Sequence, residues 1–586
     1  MRIRTQAAVA ALTFGFASCA APDDATTAAS GAGDGDWRLE GQAMAATADI
    51  RATEAALEAM RAGGTAVDAA IAAHAVLGLV EPQSSGLGGG GYMIVYDRAR
   101  DTTTVYDGRE TAPFDADENY FEWEGEILGF GPAIYSGRSI GTPGLISLYK
   151  TAHDALGKRT WSENFSAAIK LADEGFIVSP RLANSLNYRF LREGPLAMGP
   201  VTGPYFYPNG EPLAEGDLRT NAAYADTLRA VATRGPAAFY SGQIAQDIVD
   251  TVQSGDVPGA MTLEDLSTYK ARTVEPICGP FRSYTICAPP PSSSGGVAMN
   301  LIMGLYERIS AASPESDEAA NLRDYVLAQQ LGYADRDHYI ADPDAVPVPV
   351  SELIDPRYLD ARAAEGFAPG DNPQPGDPGQ IVNGEPVVDM WGREANDARP
   401  GTTHLSFVDT YGNAVSFTAT VEGPFGSGRM TNGFLLNNEL TDFSRNPQLN
   451  GKLVANAPGP GKRPRSSMSP TLVFDENGDL FMATGSPGGN SIVGYVSKTL
   501  VGVLDWGLSA QEAADLPNVI ARGQLVRVEA VDAKGEEWAG MLEEAGFDVR
   551  EVEGENSGIH IVIAREDHFE GAADKRREGE AKTLRD

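Results

Sequence analysis

The 586 residues carry 46 basic and 81 acidic side chains, a net charge of −35, which excludes a nucleic-acid role because phosphate backbones are held by Lys and Arg fields. Three cysteines are too few for a disulfide scaffold, and 42% apolar residues suffice for a core, so neither a stapled miniprotein nor a disordered chain is expected. At roughly 150 residues per domain the length predicts about four domains, or one large enzyme domain.

The chain opens on MRIRTQAAVAALTFGFASC (1–19): two arginines, an apolar run and then small residues, the order of a secretory signal. The run is too short to span a bilayer as a helix, which takes ~20 residues. Phe16-Ala17-Ser18-Cys19 resembles a bacterial lipobox, with lipid on Cys19; an ordinary signal cleaved nearby is the alternative. Residues 20–40 begin with an Ala, Asp, Thr and Gly stretch without periodicity and read as a flexible tether. This predicts a periplasmic protein, or one held to the outer membrane on its periplasmic side.

Ala48 to Gly78 carries an Ala-rich helical pattern broken at Gly63-Gly64, and it ends in the Gly-rich turn of VEPQSSGLGGGGYMIVYD feeding an alternating strand. Helices are predicted around Pro143 to Gly175, Asn221 to Val252 and Ala319 to Ile340. Cys278 and Cys287 lie in two short β-type runs around a Gly-Pro bend, so either a cross-strand disulfide or two unpaired thiols fits. Ala364 to Gly401 is rich in Pro, Gly, Asp and Asn and reads as a long exposed loop. Beyond it come the strands HLSFVD, NAVSFTATV and TLVFDENGDLFMATG, with DENG as a hairpin turn. Helical stretches follow near Ser491 to Val503 and Ser509 to Asp515.

The run Gly86-Leu87-Gly88-Gly89-Gly90-Gly91 lacks the GK[ST] of a P-loop and precedes a strand rather than a helix, so a tight backbone passage is expected instead of a phosphate site. The six histidines are scattered without an HExxH pairing, which predicts no metal site. There is no GxSxG elbow. The notable feature is Gly401-Thr402-Thr403-His404, where a loop turns directly into a strand. A Thr hydroxyl is a weak nucleophile, but a cut immediately before Thr402 frees an α-amine, titrating near ~7.7–8.0, that can take its proton.

The string TTHLSFVDTYGNAVSFTATVEGPFGSG, then GFLLNNELTDFS, KRPRSSMSPTLVF and TGSPGG, resembles the small subunit of gamma-glutamyltransferases (gamma-glutamyl transpeptidases, glutathione hydrolases). RAGGTAVDAAIA, VEPQSSGLGGGGYM, DGRETAP, PPPSSSGG and YADRDHY resemble the large subunit, in the same order. The resemblance implies an α+β fold, the N-terminal-nucleophile αββα sandwich, and a proenzyme that cuts itself between Gly401 and Thr402. The large chain, 41–401, and the small catalytic chain, 402–586, then stay together as a heterodimer.

By the same resemblance Thr402 is the nucleophile that forms a γ-glutamyl ester, Thr420 a second threonine bonded near it, and Gly488 and Gly489 the oxyanion-hole backbone. Arg109, Ser466 and Ser467 are implied to bind the α-carboxylate of glutathione or another γ-glutamyl amide. Asp442, with Glu439 beside it, is implied to hold the α-ammonium. Water or an acceptor amine resolves the ester, and no cofactor is implied. Many relatives carry Asn where this chain has Glu422, near the ammonium, and the stretch between Asp442 and Ser466 is shorter than in relatives with a lid. Two rivals remain: an acylase or polyglutamate-processing relative, and an inactive surface lipoprotein using the fold to bind.

Overall fold

The computed structural model describes Leu39 and residues 41–314, 316–392 and 401–585. The leader, Cys19 and most of the tether lie outside the described residues.

Strand β1 (Met44–Thr47) leads into helices α1 (Ile50–Arg61) and α2 (Ala66–Val80), then β2 (Gly90–Asp97) and β3 (Thr102–Asp107). The Asp49 side chain caps α1, and Thr65 with Asp68 forms a capping box on α2, so Gly63-Gly64 falls between two independently started helices. Every residue of α2 is buried, as its Ala- and Val-rich composition requires. Next come α3 (Leu145–Leu156), α4 (Ser166–Glu174), α5 (Ala222–Arg234), α6 (Gln243–Val252), β4 (Arg272–Val274), β5 (Ile277–Phe281), β6 (Tyr284–Ala288), α7 (Gly295–Ala312) and α8 (Glu318–Tyr339). The second half holds β7 (Gly401–Val408), β8 (Ala414–Glu422), β9 (Thr471–Phe474), β10 (Leu480–Gly485), α9 (Ile492–Leu504) and α10 (Ala510–Asp515). It closes on β11 (Leu525–Glu529), α11 (Ala533–Glu544), β12 (Asp548–Val552), β13 (His560–Ala564), β14 (Phe569–Ala573) and β15 (Glu580–Thr583).

Two sheets stack face to face. One has the order β15-β1-β7-β8-β2-β3-β4 and the other β14-β13-β10-β9-β6-β5. On the outer face of the first, α1, α2 and α3 cover a core that includes Leu405, Phe407, Val415 and Phe417. Between the sheets and under α7, α8 and α9 lies a second core with Tyr92, Ile94, Leu472, Met482 and Ile561. The layers therefore run helix, sheet, sheet, helix. Both termini of the described chain enter the same sheet edge, since β1 pairs with both β15 and β7.

The Gly-rich turn is a close backbone passage: a Cβ on Gly89 would lie 1.9 Å from the Thr420 carbonyl oxygen, so only glycine lets β2 reach its place beside β8. Cys278 and Cys287 are register partners on β5 and β6 and are joined as a disulfide.

Several expectations change. The described residues form one compact unit rather than four domains. The segment from Ala364 is not simply an exposed loop, because it holds a short helix, Pro378–Asn383, and packs Phe367, Val382 and Val387 against the inter-sheet core; residues 393–400 lie outside the described residues. Helix α7 and the β11–α11–β12 unit have no counterpart in the pattern read above. No helix among the described residues is long and apolar enough to cross a membrane.

Candidate active site

Strands β7 and β8 pair antiparallel with Thr402 opposite Thr420, and the register shifts between Gly401 and Thr402. Side chains alternate along β7. Leu405 and Phe407 enter the outer core, whereas Ser406 reaches across to the His560 carbonyl of the second sheet, 3.0 Å. Thr402 shares that inward face. It opens into a narrow cleft lined by Thr402, Thr420, Glu422, Glu439, Asp442, Ser466, Ser467, Met468, Gly489, Asn490 and Ile492. Eight of the sequence-predicted positions, drawn from five separate segments, thus meet in one place.

The hydroxyl of Thr420 fixes the proton order around Thr402. Its Oγ1 donates to the Gly401 carbonyl oxygen at 2.8 Å and accepts the Glu422 N–H at 2.7 Å. Its one proton being spent, the 3.2 Å contact between the two threonine hydroxyls has Thr402 donating to Thr420. The carbonyl before Thr402 is therefore polarised by the same group that accepts the Thr402 proton. Gly401 is confined: a Cβ there would lie 2.5 Å from the Gly423 carbonyl carbon and 2.6 Å from the Glu422 oxygen.

Part of the cleft lining is acidic. Glu422, Glu439 and Asp442 line it, and Glu110 lies buried behind them. Burial, then the nearby Asp442 and Glu439, drives the Glu422 carboxyl well above the usual carboxylate range. Burial and Glu439 do the same to Glu110. Glu439 is pushed up to about 7, mainly by burial and against the opposing pull of Arg109. Among the described residues both oxygens of Glu110 and Oε2 of Glu439 meet no hydrogen-bond partner.

Arg109 is fully buried and does not line the cleft. Its guanidinium donates to Glu439, to Asp442 at 2.6 Å, and to the Pro464 and Arg465 carbonyls at 3.1 and 2.9 Å. It holds two of the acids in position, because in a buried site a guanidinium takes the nearest carboxylates.

Another part of the cleft lining is built of hydroxyls. Ser466 Oγ accepts the Met468 N–H at 3.1 Å. Ser467 Oγ accepts a hydrogen bond from Arg336 and lies 3.1 Å from Asn490 Oδ1, to which it donates. Gly488 and Gly489, with φ of 137° and 58°, turn the end of β10 toward α9. Among the described residues neither N–H meets a protein acceptor, so both remain available to a ligand. Gly489 lines the cleft and Gly488 sits one residue behind it.

A family profile described as Gamma-glutamyltranspeptidase matches residues 52–584. The chain belongs to the gamma-glutamyltranspeptidase family. It is 34% identical over 481 residues to the glutathione hydrolase proenzyme of Bacillus subtilis (strain 168), covering 81% of this chain and 80% of the relative. To the glutathione hydrolase proenzyme of Escherichia coli (strain K12) it is 34% identical over 543 residues, covering 91% and 90%. Among solved structures, cephalosporin acylase from Bacillus halodurans superposes with a TM-score of 0.80 at 25% identity, over 93% of this chain and 96% of that one. Helicobacter pylori gamma-glutamyltranspeptidase gives 0.50 at 29% identity, over 59% and 96%. The sandwich is the N-terminal-nucleophile hydrolase fold, and the gamma-glutamyltranspeptidase-family chain is an enzyme.

Sequence reasoning missed two members of this gamma-glutamyltranspeptidase-family site. Asn490 follows directly on the TGSPGG string, and Arg336 lies within YADRDHY; both motifs were quoted above without a task for these residues. Among the described residues no group of His, Cys, Asp and Glu is placed to hold a metal.

The acidic lining makes stability depend on pH. Unfolded Glu titrates near ~4.3, below the folded Glu439 value of about 7. The folded state therefore holds the extra proton between those values, and its stability falls as pH rises from about 4.3 to 7. The urea midpoint is expected to drop between pH 5 and pH 8, and to drop less in Glu439→Gln; equal drops in the two proteins would rule out Glu439 as the source.

Proposed function

We propose that the chain is an autoprocessing gamma-glutamyltransferase that cleaves the γ-glutamyl amide of glutathione and related compounds through an ester on Thr402. The single observation that carries this is the hydroxyl pair: Thr402 donates to Thr420, and Thr420 donates to the Gly401 carbonyl. In the precursor, Thr402 Oγ1 attacks the Gly401 carbonyl carbon, and Thr420 meets the developing oxyanion. The Gly401–Thr402 C–N bond breaks as the Thr402 nitrogen takes a proton, leaving Gly401 as an ester on Thr402. Water hydrolyses that ester, which frees the Thr402 hydroxyl and α-amine.

That amine then serves as the base in turnover. Thr402 attacks the γ-carbonyl of the donor, the Gly488 and Gly489 N–H groups receive the oxyanion, and the amine passes its proton to the leaving group. Water or an acceptor amine attacks the resulting γ-glutamyl ester and regenerates Thr402. Glu422, Glu439 and Asp442 receive the donor's α-ammonium, and Ser466 and Ser467 its α-carboxylate. The acids and hydroxyls that line the cleft thus match a zwitterion, whose absence in a hydrocarbon acyl group would leave them unpaired.

Two further facts support a processed two-chain enzyme. The relatives named above are proenzymes. The solved H. pylori chain is matched over 96% of its length yet covers 59% of this chain, close to the three-fifths of the sequence that residues 41–401 make up. Export by residues 1–19, with Cys19 as the lipid-bearing residue, belongs to the same proposal; the Cys278–Cys287 disulfide suits an oxidising compartment.

The test is denaturing electrophoresis with N-terminal sequencing of the smaller band, followed by γ-glutamyl anilide turnover. A band beginning at Thr402 and release of the aniline are expected; a protein that stays intact and inactive under native conditions refutes the proposal. Thr420→Val removes both the carbonyl donor and the proton acceptor, and is expected to slow self-cleavage about 10²-fold, read from the time course of chain conversion.

The likeness to a cephalosporin acylase favours one alternative, an acylase accepting glutaryl or another acyl group. A glutaryl donor has no ammonium for the three acids, so the present proposal expects it to react far more slowly than the γ-glutamyl donor. Faster glutaryl turnover would favour the acylase.

A further inference from the structure

Glu81 ends α2, where its N–H donates to the Leu77 carbonyl, and it is 4% exposed. A buried carboxylate is costly unless it is paired and hydrogen-bonded, and the partners here come from separate parts of the chain. Thr403 follows Thr402 on β7, so its side chain leaves the opposite face of the strand, away from the cleft. Its Oγ1 donates to Glu81 Oε2 at 3.0 Å. The other oxygen, Oε1, accepts from Arg181 and, at 3.2 Å, from Arg577.

The two guanidiniums carry the contact further. Arg181 also donates to Ser84 Oγ at 3.3 Å, and the Ser84 carbonyl accepts the Val421 N–H at 3.3 Å, one residue beyond Thr420 on β8. Arg577 donates to the Ser557 and Asn556 carbonyls, each at 3.0 Å. The next residue, Gly558, donates its N–H to Ser486 Oγ at 3.2 Å, and the Ser486 hydroxyl donates to the Pro487 carbonyl at 2.8 Å. A Cβ on Gly558 would lie 2.7 Å from both Pro487 Cγ and Arg577 Nε, so Arg577 packs closely behind the turn that leads into Gly488. One carboxylate is thus joined to the strand of Thr402, the strand of Thr420 and the turn of Gly488 and Gly489.

We propose that Glu81 is a positioning residue for acyl transfer. Through Thr403 it fixes the rotation of β7 that aims the Thr402 hydroxyl. Through Arg181 and Arg577 it holds that hydroxyl in register with Thr420 and with the Gly488 and Gly489 N–H groups. Neither Glu81, Thr403 nor Arg577 lines the cleft, so the role lies in the attack and not in holding the donor. The inference rests on the Thr402 mechanism proposed above and goes beyond it by naming the group that aligns its parts.

Steady-state kinetics with γ-glutamyl anilide test it, with the cleaved fraction counted on denaturing gels and the melting temperature recorded for each variant. In Thr403→Val, which keeps the β-branched shape but not the donor, kcat per cleaved enzyme is expected to fall about 10–100-fold, the cost of a misaimed nucleophile. KM should stay within roughly threefold, a margin below one lost hydrogen bond to a charged group. Self-cleavage uses the same hydroxyl and should slow by a similar factor, while Thr403→Ser should restore most of both rates. Glu81→Gln should lower kcat at least as much, and adding Thr403→Val to it should cost no more than about threefold further, because the two act through one another. Should Glu81→Gln not fold, Thr403→Val and Thr403→Ser carry the test. Wild-type kcat in Thr403→Val, a rise in KM at constant kcat, a lowered melting temperature with kcat unchanged, or losses that multiply in the double variant overturn the proposal. Failure of the wild type to turn over the anilide instead overturns the function on which it rests.

Discussion

Thr402→Ala is expected to remain one chain through purification and to lose γ-glutamyl anilide turnover by at least about 10⁴-fold. The size of the effect follows from the geometry. Thr402 carries both the hydroxyl beside the polarised Gly401 carbonyl and the backbone nitrogen that becomes a free α-amine only after that bond is cut. The alanine removes the nucleophile and, by blocking the cut, the base. Ser466 and Ser467 are the other hydroxyls lining the cleft besides Thr420, but they accept bonds from Met468 N and Arg336 and no α-amine can form beside them. Thr402→Ser keeps the hydroxyl and should still process and turn over, more slowly, since it lacks the γ-methyl that fixes the rotamer. Turnover by Thr402→Ala near the wild-type rate would place the nucleophile elsewhere.

Arg109→Met is expected to destabilise the protein by about 3–5 kcal/mol at pH 8, the cost of leaving buried carboxylates without their cation. Glu439, Asp442 and Glu110 all lie within 4 Å of its guanidinium, and all but Asp442 are almost wholly inaccessible. The sign of the pH dependence is fixed by the same groups. Without Arg109 the acids escape the charge by protonating, so the variant's deficit should shrink as pH falls toward 5. Thermal unfolding of both proteins at pH 8 and pH 5 measures this. A deficit that grows toward low pH would mean that Arg109 does not neutralise this cluster.

The strands that carry the site were legible because their signals are local: Gly401-Thr402 opens an alternating run, and the DENG turn joins β9 to β10. Likewise Gly63-Gly64 marked the break between α1 and α2. The site's membership was legible only as motifs, since Thr402, Glu439, Ser467 and Gly489 are brought together by sheet stacking that no short-range pattern encodes. The same limit applies to the ion pairs of Arg109. A sequence shows that an arginine follows Gly108 but not that Glu439 and Asp442, more than three hundred residues later, will take its donors. Helix α7 went unseen because it starts directly on Ser294-Gly295-Gly296, where loop composition masks the start of the helix. β11, α11 and β12 lie in a segment whose charged residues blur both the 2-residue and the 3.6-residue period.

The −35 net charge places the substrate's recognition in the cleft rather than in a long-range field, because an acidic protein does not attract anionic glutathione. The account therefore stands on Thr402, and its most direct test is the mass of the small chain after rapid mixing with a γ-glutamyl donor and acid quenching. A mass gain of one glutamyl residue, mapped by fragmentation to Thr402 and lost on adding an acceptor amine, is the predicted result. Turnover without that adduct under conditions where the ester accumulates, or an adduct on any other residue, would contradict the account.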